Sequence, residues 1–150
     1  MADILETLQK EHDELRKLFK QLTGTEDGAE KTRSELLDRI ENKLVGHAKG
    51  EEAVFYPAFG KRGDHEDLGA LAEAFEEHRA VEKTVLPDLK KAAPGSRKFA
   101  GIAKVLKEFV EHHAKEEEGT MFAAARKLFD DAERSELDKQ YKAWKRTNGY

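Results

Sequence analysis

The chain has 150 residues, a length that suits a single hydrophobic core, and no cysteine, which excludes disulfides, thiolate metal sites and cysteine nucleophiles. Charged residues make up 39% of it and aromatics 8%, with a net charge of −4; this suits amphipathic helices and gives no electrostatic reason to expect a nucleic-acid partner. No apolar run approaches membrane-spanning length, and Ala2-Asp3-Ile4-Leu5-Glu6 turns charged at once instead of forming a signal-peptide core, so the expectation is a soluble cytoplasmic protein with no membrane partner.

The first helix is predicted to begin near Asp3, a good capping residue, with Leu5, Leu8, His12, Leu15 and Phe19 following at spacings of three and four. Residues 23–28 read as a loop. A second helix starts around residue 30 and carries Leu37, Ile40, Leu44, His47, Glu51, Val54 and Ala58 on one face. Gly46 and Gly50 inside it either permit close packing or leave space, and Pro57 is expected to kink or end it. After the turn at residues 60–64, Asp64 caps a third helix with Leu68, Leu71, Phe75, His78, Val81, Val85 and Leu89 at heptad-like spacing, disturbed late by Pro87. The break at residues 93–96 leads to a fourth helix with Phe99, Ile102, Leu106, Phe109, His113, Glu117, Met121 and Ala124 inward. A last helix, about residues 131–146, shows Leu137, Tyr141 and Trp144 on one side and would cap the bundle. The expected fold is all-α: one domain over residues 1–150, an up-down-up-down four-helix bundle over about 3–128, and an added C-terminal helix.

One pattern recurs inside this frame. His47 and Glu51, and again His113 and Glu117, form His-x-x-x-Glu, which puts both side chains on one helical face a turn apart. Glu11-His12 stands 35 residues before His47, and Glu77-His78 stands 35 before His113, so the whole arrangement repeats with a period of 66. All four histidines continue apolar stripes. An imidazole and a carboxylate aimed into a core cost several kcal/mol unless something satisfies them, and a metal ion would do so. The inferred site is two metal ions: one on His12 and His47, one on His78 and His113, with Glu51 and Glu117 bridging. Nitrogen and oxygen ligands without thiolate suit iron or manganese, and zinc also accepts them.

These residues resemble the haemerythrin-like family, the HHE cation-binding domain. His12, His47 with Glu51, His78, and His113 with Glu117 carry the resemblance over about residues 3–128, and Val54-Phe55-Tyr56-Pro57 adds to it. The resemblance implies two non-haem iron ions, carboxylate-bridged and joined by an oxo or hydroxo group, and reactivity with oxygen species. In the oxygen carriers of the family a further histidine stands one turn before the third-helix ligand; here that position is Ala74. Their second carboxylate is an aspartate five residues after its histidine; here it is Glu117, at four. A more open ion favours redox chemistry over reversible carriage, and Tyr56 is a possible additional ligand or hydrogen-bond donor.

The ferritin-type Glu-x-x-His pattern is absent, because Leu44, Phe75 and Val110 stand three before the histidines. His65 and His112 read as solvated or rim residues. Glu52, Glu116 and Glu118 read as a solvated face, with Glu52 and Glu118 as possible outer partners of the site or alternate ligands. Phe19, Phe55, Phe75, Phe109 and Phe122 read as core. Three functions stay open: an oxidoreductase decomposing hydrogen peroxide in oxidative-stress defence, a module binding dioxygen or nitric oxide or sensing iron, and a metal-free bundle with buried His–Glu pairs.

Overall fold

Four of the five helices begin where the sequence supplies a cap. Asp3, Asp64 and Asp130 each form a capping box with the side chain three residues on, Glu6, Asp67 and Glu133, and Ser96 accepts from the Phe99 amide. In the computed structural model, which describes residues 2–150, α1 spans Ile4–Thr23, α2 residues 30–62, α3 residues 65–91, α4 residues 97–128 and α5 Asp131–Thr147. No strand occurs among the described residues. The short connections set α1 to α4 antiparallel in sequence order, and α5 lies against α1 and α2. No described helix is long and apolar enough to cross a membrane.

Helices α2, α3 and α4 each contain one wide π-helical turn: Glu51–Phe55, Val81–Val85 and Glu117–Met121. The amides of Tyr56, Leu86 and Phe122 donate back to the carbonyls of Glu51, Val81 and Glu117, closing each turn over five residues. Two of these turns end two residues before Pro57 and Pro87. Neither proline ends its helix: each sits in the first turn of the resumed α stretch, where a missing amide is tolerated. The first and third turns share a different feature, since each begins at the glutamate of a His-x-x-x-Glu pair.

The inserted residue rotates everything after it. Val54, Ala58 and Ala124, expected on the inner face, are only partly buried; Phe55, Tyr56 and Phe59 in α2, and Phe122 and Ala125 in α4, take the core positions. The expected stripe of α3 also needs correction. Leu68 is 45% and Phe75 39% exposed, while Ala74 and His78, one turn apart, face inward. Phe75 is not core; its ring meets Tyr56 edge-on at 5.2 Å from outside.

The core is divided in two. One apolar cluster is built around Ile4, Leu8, Phe55, Phe59, Phe122 and Leu137, the other around Leu15, Phe19, Ile40, Leu89, Phe99 and Leu106. Between them lies a layer of buried polar side chains, Glu11, His12, His47, Glu51, His78, His113 and Glu117. At the far end of the second cluster Arg33, 2% exposed, donates to the carbonyls of Pro94 and Ser96 and to Thr25 and Asp27, tying two loops together.

Candidate metal centre

The structure brings all six sequence-predicted ligands into one layer. His12 and His47 point their Nε2 atoms at each other across 3.1 Å, and His78 and His113 do so across 3.2 Å. Glu51 spans the two pairs: Oε1 is 3.2 Å from His47 Nε2 and 3.3 Å from His78 Nε2. Glu117 spans them from the other side, with Oε1 3.4 Å from His12 Nε2 and Oε2 3.4 Å from His113 Nε2. His12, His47, Glu51 and Glu117 each offer an atom within 4.8 Å of the others, as do Glu51, His78 and His113.

Every imidazole is fixed from behind. Nδ1 donates to Glu118 Oε2 from His12 at 2.8 Å, to Glu11 Oε1 from His47 at 2.8 Å, to Glu52 Oε2 from His78 at 2.8 Å and to Glu77 Oε1 from His113 at 2.7 Å. A carboxylate can only accept, so the Nδ1 proton is held there. A neutral ring then presents a lone pair at Nε2, the arrangement expected of a metal-binding histidine with a carboxylate behind it. Two such lone pairs face each other in each pair. Ligands about 2.1 Å from a common ion and at right angles to one another stand about 3 Å apart, which matches both separations.

Glu51 Oε2 and Glu117 Oε1 add an independent observation. Both residues are at most 1% exposed, and these two oxygens have no hydrogen-bond partner among the described residues. A buried carboxylate oxygen left alone is costly, and a cation between the imidazoles satisfies it. With no cation, protons do the same work. Burial on its own would lower the pKa of His47, but the carboxylates of Glu51 and Glu11 outweigh it and raise it to about 10. Burial likewise opposes protonation of His12, His78 and His113, and their glutamate partners again raise all three. Against burial, the surrounding hydrogen bonds of Glu51, His113 and His12 hold Glu117 well below the usual carboxylate range. The donor set therefore fits a cation, and nitrogen with carboxylate oxygen suits iron, manganese or zinc.

Tyr56 reaches the centre because the π-helical turn after Glu51 carries it inward. Its Oη donates to Glu117 Oε2 at 2.6 Å and lies 3.2 Å from His78 Nε2 and 3.5 Å from His113 Nε2. Burial, followed by the charges of Glu117 and Glu51, pushes this phenol well above its ordinary pKa.

A profile of the hemerythrin HHE cation binding domain matches residues 3–125. The chain belongs to this family. A solved haemerythrin HHE cation-binding domain-containing protein from Mycobacterium kansasii has the same fold, with a TM-score of 0.83 and 26% identity over 98% of this chain and 87% of that one. A Nostoc sp. protein named DNA nickase is 27% identical over 95% of this chain, which spans 39% of that relative's length. As a haemerythrin-family domain, the chain is a cation-binding helical bundle with its histidine–glutamate cluster at mid-depth.

Sequence reasoning missed the roles of Glu11 and Glu77. Both precede a marked histidine and recur with the 66-residue period, which was the available signal, but each serves the histidine of the next helix rather than its own neighbour. Glu52 and Glu118, read first as solvated, take the lesser alternative and hold His78 and His12. Arg16 grips Glu118 through two hydrogen bonds of 2.9 and 3.0 Å, and Tyr141 and Lys145 of α5 each reach Glu11 at 2.5 Å. His112 and Glu116 stay at the exposed rim, 3.2 Å apart.

Proposed function

We propose that the chain holds two iron ions, on His12 with His47 and on His78 with His113, bridged by Glu51 and Glu117, and that it decomposes hydrogen peroxide in oxidative-stress defence. The observation carrying this reading is the pair of opposed Nε2 atoms, 3.1 and 3.2 Å apart, beside two buried carboxylate oxygens without partners. Two adjacent irons, when bound, supply a two-electron couple. Decomposition then balances with no outside reductant: one peroxide accepts two electrons and two protons and leaves as two waters, and another gives up both and leaves as dioxygen.

The protein's own residues prepare the place for this. Glu11, Glu52, Glu77 and Glu118 orient the four rings and hold the Nδ1 protons, keeping each Nε2 free to bind. Phe55, Phe59 and Phe122 keep water from one side of the layer. Tyr56 holds a proton at Oη between Glu117 and the His78–His113 pair, where it can be given to a departing oxygen. With Ala74 where the oxygen carriers of the family have a histidine, the second ion would have two imidazoles, as the first does, and be more open than its counterpart in those carriers.

Metal analysis should find two irons per chain, and iron-loaded protein should release dioxygen from hydrogen peroxide faster than the same concentration of free iron. Turnover no faster than free iron, or undiminished in His47→Ala, overturns the enzymatic reading.

Reversible binding of dioxygen or nitric oxide is the second reading. It is favoured by an apolar cavity of about 40 Å³ beside the four histidines, lined also by Leu15, Leu44 and Phe109. A diferrous sample that cycles with dioxygen without oxidising would favour it over peroxide chemistry.

A further inference from the structure

The centre is duplicated but its surroundings are not. The 66-residue period pairs Ile4 with Ala70, Leu8 with Ala74, Gly50 with Glu116 and Gly46 with His112. In the first half Ile4 and Leu8 are both fully buried and fill the space beside the layer. Helix α5 and the residues that follow it then close over the glycines: a Cβ on Gly50 would lie 2.5 Å from Tyr141 Cε2, and one on Gly46 2.7 Å from Tyr150 Cδ1. In the second half two alanines stand where isoleucine and leucine stood. They leave a cavity of about 140 Å³ between α3 and α4, reaching His113 and the buried Glu117 on its inner side. Thr120 and Met121 line it further, and Glu73, Glu77 and Glu116 stand at its rim. The outer carboxylates differ in the same sense. Glu11 is gripped by Tyr141 and Lys145, whereas Glu77 meets the exposed His112 at 3.8 Å.

We propose that this cavity is the route by which small solutes reach the His78–His113 side of the centre, and that its carboxylate rim admits neutral molecules and disfavours small anions. The inference rests on the metal-centre reading above and narrows its substrate class to neutral oxygen species such as hydrogen peroxide. A cavity of this size has room for several water-sized molecules. Three carboxylates around its mouth set a negative potential that lowers the local concentration of anions, weakens with salt and leaves uncharged molecules unaffected. His112, 3.2 Å from Glu116, is the titratable group facing the rim from α4.

The test places the first half's plug in the second. Ala74→Leu should fold, because the cavity beside Ala74 accepts the added carbons. Iron content is measured first, then the rates of azide and nitric oxide binding are followed by stopped-flow absorption. The expected result is two irons retained and both ligands slowed about tenfold or more. In the double variant Glu73→Gln with Glu116→Gln, azide should bind about threefold to tenfold faster at low salt, with the difference lost at high salt and nitric oxide unchanged. If Ala74→Leu does not fold, Ala70→Leu closes the mouth instead. Iron-loaded Ala74→Leu or Ala70→Leu with unchanged rates for both ligands overturns the route. Azide rates indifferent to the rim charges overturn the selectivity. Wild-type protein that takes up no iron overturns the metal-centre reading and the route with it, and the iron measurement tells that failure from the others.

Discussion

Tyr56 and Phe122 occupy the same place in the two halves of the centre, five residues after Glu51 and Glu117. Tyr56 stacks on His78 with ring centroids 5.3 Å apart, and Phe122 stacks on His12 at 6.2 Å. The pair differs by one hydroxyl, and that hydroxyl is hydrogen-bonded to Glu117. The two ions would therefore sit in chemically distinct surroundings although their primary ligands are repeated.

Tyr56→Phe removes this donor from a buried carboxylate. Metal-free protein should lose about 1–3 kcal/mol, the usual cost of a buried polar group left unsatisfied. Metal-loaded protein should lose less, because a cation shares the carboxylate. Urea unfolding of both forms measures the difference, and equal losses would detach Tyr56 from the centre.

Removing metal should lower the melting temperature, since a ligand bound only by the folded state stabilises it by mass action, about 2.7 kcal/mol at a hundredfold excess over Kd. Calorimetry before and after chelation, with iron then restored, gives the result. His47→Ala should hold at most one ion in place of two. A melting temperature indifferent to chelation would favour the metal-free bundle.

Gly50→Ala should destabilise the protein by about 1–3 kcal/mol, the typical cost of overpacking. The new methyl would collide with Tyr141, which is fully buried and cannot swing away, and would push α5 off α2. The milder Tyr141→Phe leaves the packing and removes only the donor to Glu11, so iron affinity should fall about tenfold or more through the loosened His47. Chemical denaturation reads the first effect and competition with a chelator the second.

Acid should unfold the chain over a defined range. Burial would raise Glu11 and Glu118, but hydrogen bonds from His47 and Lys145, and from His12 and Arg16, hold both down to about 2. A carboxylate depressed in the folded state contributes its full stability above its unfolded pKa and loses it as pH falls through the folded one. Stability should therefore decline from about pH 4.5 toward 2. Glu118→Gln should flatten that decline in a pH series of thermal melts.

The helices, their caps and the ligand layer could be read from sequence because each rests on local spacing. Asp3 and Asp64 cap as expected, and His47 with Glu51 needs only four residues of helix to share a face. What escaped was non-local or non-α. The π-helical turns shift the inner face by one residue, so Val54 and Ala58, which a regular helix would put on the inner face, are only partly buried, and Phe59, not singled out, is core. Phe75 was assigned to the core because hydrophobicity alone cannot tell a ring that fills the interior from one that covers Tyr56 from outside. Glu11 and Glu77 were counted but not assigned, because each acts on a residue more than thirty positions away.

The exchange of carboxylates between the halves has a consequence for how such a molecule can be divided. Glu52 serves His78 and Glu118 serves His12, so neither helical hairpin carries a complete set of supports for its own imidazoles. Cleavage in the turn at residues 63–64 should give two fragments that each bind iron poorly and regain it only when mixed. Two identical hairpins related by a dyad would meet the same need, each lending one carboxylate to the other's imidazole.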